Sequence, residues 1–236
     1  MRAKILVTFV ALAFAGGFAM ADSLTVNNAA AMGGSGTACS GGPCGLEVYH
    51  DNSDVAYVQD DSPDGESIYR ATWLMDIASV NTAQNFRQTI FQTFSPNPQP
   101  GVGDCGTGAW TSAFRVFWYQ TGGIGQNPSV QAFVRGNQCG ERAVTRIPVN
   151  EGQDYRICTE WTAGGSGTGL IALAAVAPGD PCPSSGDPAW SSRTVSNQLT
   201  SIEWVRLGMP QNNGFAAGET GTLYFDEFES YRTLTP

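Results

Sequence analysis

The sequence predicts an all-β protein built as a two-sheet antiparallel β-sandwich, and three observations predict it. Short apolar-periodic runs alternate with turn clusters along nearly the whole chain. No segment sustains an apolar period of 3.6 residues, so helix should be scarce. No helical crossover separates the runs, so neighbouring strands should be antiparallel and the two sheets should pack face to face.

Strands are expected near LEVYH (46–50), VAYVQ (55–59), SIYRATWLMDIA (67–78), FRQTIFQTF (86–94), SAFRVFWYQ (112–120) and SVQAFVRG (129–136). Others are expected near ERAVTRIPV (141–149), DYRICTEWTA (154–163), GLIALAAVA (169–177), TSIEWVRLG (200–208) and TLYFDEFESYR (222–232). Segments such as SPNPQPGVGD, TGGIGQNP and APGDPCPSSGDP separate them with the Gly, Pro, Asn and Asp that turns require. The alternation has the phase of a half-buried strand. Ala71, Trp73, Met75 and Ile77 share one face, and Tyr155, Ile157 and Trp161 lie opposite Arg156, Cys158 and Glu160. No repeat or linker divides the chain, so residues 22–236 are expected to form one domain.

Residues 1–21 have the form of a signal peptide: Arg2 and Lys4, an apolar run from Ile5 to Phe18, and Ala19-Met20-Ala21 for cleavage before Asp22. The apolar run is short for a span and no second one of spanning length follows, so a secreted or periplasmic product without a membrane span is expected. Cleavage leaves 215 of 236 residues and removes two cations and no acid, which takes the net charge from −9 to −11. Such a charge opposes binding to nucleic acid. The loss of Lys4 also removes the only lysine, which excludes Schiff-base and P-loop chemistry. A single histidine, His50, excludes a zinc site of the HExxH type.

Six cysteines, Cys39, Cys44, Cys105, Cys139, Cys158 and Cys182, read as disulfides in an exported chain. CSGGPC can close on itself through Gly41-Gly42-Pro43. Strands 112–120 and 129–136 bring Cys139 to the end where Cys105 enters, which leaves Cys158 for Cys182.

The last strand breaks its own phase. Leu223 and Phe225 lie on one face and Phe228 on the other, so either both faces are covered or a β-bulge resets the register around Asp226-Glu227.

LTVNNAAAMGG, GLEVYH, AYVQDDSPDGESIYRATW and SIEWVRLGM…GTLYFDEFESYR, in that order, resemble exported bacterial concanavalin A-like (laminin G-like) jelly rolls. The resemblance implies a jelly roll whose N- and C-terminal strands pair. It covers lectins, carbohydrate-binding modules, adhesion modules, glycoside hydrolases and polysaccharide lyases, so it leaves the function open. Hydrolases of this kind carry E-x-D-x-x-E on a strand, and here Tyr224 stands where the nucleophilic Glu belongs, ahead of Asp226 and Glu229. Strict alternation would also put Asp226 on the face opposite Glu227 and Glu229. A lyase would need a Tyr or His base, for which His50 is available, and Arg, Gln or Asn to neutralise a uronate. The net charge opposes a polyanion unless a local basic patch overrides it.

The resemblance further implies one structural calcium on Asp226, with Asp51 and Asp54 as acids in reach. Trp118, Tyr119, Trp161 and Trp190 are the aromatics available to stack on a sugar. The reading that follows is an exported non-catalytic module for a glycan or an extracellular protein surface. The alternatives are a glycoside hydrolase or polysaccharide lyase of the same fold, and a structural or assembly module.

Overall fold

The computed structural model describes residues 24–27, 45–50, 55–61, 63–76, 87–96, 110–120, 128–137, 141–150, 153–211 and 221–233. Among them run thirteen strands: β1 (Leu24–Asn27), β2 (Leu46–His50), β3 (Ala56–Asp60), β4 (Ile68–Asp76), β5 (Arg87–Pro96), β6 (Trp110–Gln120) and β7 (Pro128–Arg135), then β8 (Glu141–Pro148), β9 (Asp154–Thr162), β10 (Gly169–Val176), β11 (Ser191–Val195), β12 (Trp204–Met209) and β13 (Gly221–Tyr231). Every pairing is antiparallel, as the absence of crossovers requires. The larger sheet has the order β1-β3-β12-β5-β6-β7-β8 and the smaller β11-β10-β9-β4-β13-β2. No helix among the described residues is long and apolar enough to cross a membrane.

The two sheets meet over the faces that the alternation marks. Ala71, Trp73 and Met75 of β4 and Ile157 and Trp161 of β9 face Ile90 and Phe91 of β5, Phe114 and Val116 of β6, and Val130 of β7. Phe91 is the centre of this core, because Trp73 stacks on it at 4.9 Å, Phe114 lies at 5.7 Å and Phe228 at 6.2 Å. Rings at these distances add about 0.5–1.5 kcal/mol per pair beyond the area they bury.

Bulges make that core possible, among them one in β5 and one in β13. In β5, Thr89 pairs with Phe117 but Phe91 with Val116, so Ile90 and Phe91 both turn inward from consecutive positions. In β13, the register slips between Asp226 and Glu229, and Glu227 sits at φ 49°. The slip returns Phe228 to the core face beside Phe225 and settles the phase break in favour of a bulge. It also overturns strict alternation: Asp226 pairs with Leu74 and Glu229 with Thr72, so both stand on the outer face of the smaller sheet.

Other expectations need smaller corrections. The C-terminal β13 pairs with β2, but the first strand β1 pairs with β3 in the other sheet. β1 and β11 lay outside the expected strands, and both are short edge strands; β11 (SSRTV) has no apolar alternation to announce it. Cys158 bonds to Cys182, 5.9 Å apart at Cα, while Cys39, Cys44, Cys105 and Cys139 lie outside the described residues.

The left-handed conformation of Glu227 costs an L-residue roughly 1–2 kcal/mol, partly offset by its exposed ion pair with Arg156 at 2.6 Å. Glu227→Gly should therefore hold or raise stability by up to about 1 kcal/mol, whereas Glu227→Val should lower it by at least that much. Urea midpoints at constant m-value test both.

Candidate functional site

The outward face of the larger sheet follows from its register. Gln59 pairs with Arg206, Arg206 with Gln92, Gln92 with Arg115 and Arg115 with Phe133, so these five side chains form one row across β3, β12, β5, β6 and β7. One step along the strands, Trp204 pairs with Phe94; in the other direction Tyr57 pairs with Gly208, and Phe117 with Gln131 and so on to Arg146. Tyr119, opposite Arg87, closes the face at one end. The β5 bulge puts Arg87 and Thr89 on this face from odd positions and Gln92 and Phe94 from even ones.

This face is cationic although the chain is acidic. Strands β12, β5, β6 and β7 contain no Asp or Glu, but carry Arg206, Arg87, Arg115 and Arg135. The strands of the smaller sheet hold Glu47, Asp76, Asp154, Glu160, Asp226, Glu227 and Glu229 instead. Toward the edges of the larger sheet β3 adds Asp60 and β8 adds Glu141, so the charges separate at its centre, where the net value says little.

The arginines are held by rings and amides. Arg206 lies 4.0 Å over Tyr57, 4.6 Å from Trp204 and 5.0 Å from Phe94, and its Nε donates to Gln59 Oε1 at 2.8 Å. Phe94 and Trp204 stack at 3.5 Å. Arg87 is wedged between Phe117 at 3.8 Å and Phe133 at 4.2 Å. Arg115 donates to Gln211 Oε1 at 2.8 Å, and Arg135 to the Ser112 carbonyl at 3.1 Å. Burial lowers the Arg115 guanidinium to about 10, and the nearby cations Arg87 and Arg135 act in the same direction. Burial also lowers Arg206, against the pull of Tyr57 and Asp61. All remain charged at neutral pH, and an anion arriving among them relieves the repulsion. Fork-shaped donors for carboxylates and amides for hydroxyls meet on one surface, with the half-buried rings of Tyr119, Phe133 and Trp204 beside them.

The carboxylates serve another purpose. On the outer face of the smaller sheet, Arg70 and Glu160 form an ion pair at 3.3 Å with exposures of 3% and 1%. Segment 177–190 lies over it: Pro183 accepts from Arg70 at 3.0 Å, Ser185 donates to Glu160 at 3.1 Å, and the Cys158–Cys182 bond ties the segment to β9. Tyr231 donates to Glu229 at 2.5 Å, and burial with that contact pushes its phenol up to about 12. These acids are engaged in holding the segment and the sheet together.

The residues singled out in the sequence scatter over this architecture. Trp118 and Trp161 are 0% exposed in the core, and Trp190 is 8% exposed beside Cys158, so none of the three offers a ring to a sugar. Tyr119 alone of the four stands on the cationic face, with Arg146 at 5.7 Å over its ring. His50 belongs to β2 in the smaller sheet, away from that face. Asp226 accepts from the Glu227 amide at 2.8 Å and borders a cavity of about 240 Å³ lined largely by Leu46, Val58, Val205 and Leu207. Asp51 and Asp54 lie outside the described residues, among which no group of three potential metal ligands occurs. The residues that sequence reasoning passed over are Tyr57, Gln59, Gln92, Arg115 and Arg206. For Gln92 and Arg115 a signal was present: between Asp76 and Glu141 the sequence has one acid, Asp104, against Arg87, Arg115 and Arg135.

No protein-family model matches the sequence, and no curated protein does. Solved structures do share the fold. A marine PL-14 alginate lyase from Aplysia kurodai superposes with a TM-score of 0.56 at 10% identity, over 89% of this chain and 91% of that one. An endo-β-1,4-glucuronan lyase from the fungus Trichoderma reesei gives 0.54 at 15% identity, over 89% and 87%. A mutant of the alginate lyase Aly36B in complex with alginate trisaccharide gives 0.53 at 13% identity, over 78% and 79%. The chain has the concanavalin A-like jelly-roll β-sandwich that these polysaccharide lyases share.

The buried pair behaves predictably with pH. Burial raises the Glu160 carboxyl and Arg70 opposes it. A carboxyl raised on folding binds its proton more tightly in the native state, so stability falls as pH rises from the ordinary carboxylate value through the raised one. Arg70→Ala removes the opposing charge and should cost about 3–5 kcal/mol near neutral pH. The loss should shrink as the pH falls below neutral and Glu160 takes up its proton. Denaturant melts of both proteins across that range measure it.

Proposed function

We propose that the protein is a carbohydrate-active protein of polysaccharide-lyase type, which binds a uronate-bearing polysaccharide on the larger sheet and cleaves it by β-elimination. The observation that carries this reading is the Arg206–Gln59–Gln92 row beside Tyr57, on a face whose central strands hold no carboxylate. A glycoside hydrolase needs two carboxyls flanking the bond. A uronate lyase needs cations and amides to neutralise the sugar's own carboxylate, with one proton acceptor.

Arg206 is the group to grip the uronate carboxylate, and Gln59 and Gln92 flank it for the sugar's other oxygens. Neutralising the carboxylate makes the hydrogen on the adjacent C5 acidic. The Tyr57 oxygen takes that proton, the C5–H electron pair becomes the C4=C5 bond, and the C4–O bond breaks. The departing oxygen takes a proton from the tyrosine or from water. The products are an unsaturated uronate and a new reducing end, with no water added across the bond. The similarity to alginate and glucuronan lyases supports this reading over the hydrolase.

A second reading, capture of the same polysaccharide without cleavage, is favoured by Tyr57 being only 9% exposed beneath Arg206. One experiment separates the two. Incubation with alginate or glucuronan should release unsaturated uronates, followed by their ultraviolet absorbance. Tyr57→Phe should reduce turnover at least a hundredfold with binding kept within about threefold. Arg206→Ala should weaken binding itself, by about tenfold or more. Binding without any unsaturated product would leave the capture reading, and no binding of either polymer would refute both.

A further inference from the structure

Beyond Gln59 the row on the larger sheet meets an acid, Asp61, placed to serve Arg206 rather than to quench it. We propose that Asp61 and Gln59 are positioning residues for Arg206: the Asp61 carboxylate fixes the Gln59 amide, and the amide turns the guanidinium so that its Nη edge faces the uronate carboxylate. The inference rests on the reading of this face as a uronate site and deepens it by naming what orients its cation.

The hydrogen bonds run in one consistent direction. Asp61 directly follows β3, two positions on from Gln59, and so stands on the same outer face. An ionised carboxylate only accepts, and Asp61 Oδ1 accepts from Gln59 Nε2 at 2.7 Å. That leaves Gln59 Oε1 toward Arg206, whose Nε donates to it at 2.8 Å. A reversed amide would set acceptor against acceptor at Asp61 and donor against donor at Arg206. The acid therefore selects the orientation of the amide, and the amide that of the guanidinium. The second hydrogen on Gln59 Nε2 is left for a sugar oxygen.

Gln59 also acts as a spacer. A carboxylate paired directly with Arg206 would fill the two-pronged fork that a uronate needs. Among the described residues, Arg206 hydrogen-bonds through Nε alone and makes no ion pair. The rings of Tyr57, Trp204 and Phe94, at 4.0, 4.6 and 5.0 Å, hold its plane. With Nε committed and the plane held, the Nη pair is the fork presented to a ligand. Asp61 also favours the charged guanidinium against the burial that opposes it. Arg115 is built differently: its Nη1 donates to Gln211 Oε1 at 2.8 Å, which occupies part of the edge that Arg206 keeps open.

Charge and geometry predict opposite signs for the loss of Asp61. An acid beside an anion site repels the ligand, so an Asp61 acting through charge alone should give tighter binding when removed. An Asp61 acting through Gln59 should give weaker binding, because the amide is freed. A 1,4-linked uronate hexamer is titrated calorimetrically into the full chain carrying Tyr57→Phe, alone and with Asp61→Ala, Gln59→Leu or both. Asp61→Ala should weaken binding about fivefold or more, and Asp61→Asn, which keeps the shape and a weaker acceptor, should fall between it and the parent. In the Gln59→Leu background, Asp61→Ala should leave the affinity within about twofold or tighten it. Exchange of the Arg206 Nε–H with solvent, followed by NMR, should be about tenfold faster in Asp61→Ala while the core amides stay protected. Equal or tighter binding by both Asp61 variants would overturn the relay and leave the uronate site standing. An equal loss in both Gln59 backgrounds would overturn it too, since Asp61 would then act without the amide. No binding by the parent protein would refute the uronate site itself, and the relay's role with it.

Discussion

The two-residue period of a strand, interrupted at a few points, is the constraint on which the rest depends. A strand that keeps strict alternation commits all of its odd positions to one face. In β5 that rule would send either Ile90 or Phe91 out of the core and would turn Gln92 away from Arg87. The bulge between Thr89 and Phe91 avoids both outcomes. It seats Phe91 under Trp73 as the ring that joins the sheets, and delivers Arg87, Gln92 and Phe94 together to the outer surface. The bulge in β13 does the same for Phe228 inside and for Asp226 and Glu229 outside. Core and site are therefore set by the same irregularities.

Charge separation follows from that scaffold. A guanidinium cluster richer in cations than in acids would be costly, and the sheet supports it in two ways. Rings of Tyr57, Phe94, Trp204, Phe117 and Phe133 face the cations, and amides or carbonyls take up their donors. Asp61, bonded by Gln59 at 2.7 Å, is the acid beside Arg206, while most of the other strand acids lie on the opposite sheet, where Arg70 and Arg156 engage Glu160 and Glu227. The centre of the larger sheet is thus richer in cations than the net charge of −9 would suggest.

How far the sequence discloses this depends on the kind of signal. Alternation marks Ala71, Trp73, Met75, Ile157 and Trp161 as core because each sits in a strand with apolar and polar positions in phase. The bulge in β13 is readable too, because Phe225 and Phe228 cannot share a face in a regular strand. β11 is invisible for the opposite reason: an exposed edge strand of Ser, Arg and Thr buries nothing on either side. The site is harder. Tryptophan is the residue expected at a sugar surface, yet Trp118 and Trp161 are needed inside, where their area counts for most. Which face of 112–120 turns outward is decided by pairing with β5 and β7, and that pairing is not local to the strand. Arg115 and Tyr119 become neighbours of Gln92 and Arg87 only once the sheet order is known.

The same reasoning explains why the acidic C-terminal strand misleads. Asp226, Glu227 and Glu229 look like catalytic carboxylates because they crowd into four positions, but crowding along a strand is not convergence on a substrate. Glu227 sits in the bulge and engages Arg156, Glu229 takes the Tyr231 hydroxyl, and Asp226 caps the Glu227 amide. Each is occupied in fixing the smaller sheet. Convergence occurs across strands, where Gln59, Arg206, Gln92 and Arg115 come from four separate segments and meet in one row. Under the proposed reading, a polysaccharide would lie along that row, at right angles to the strands.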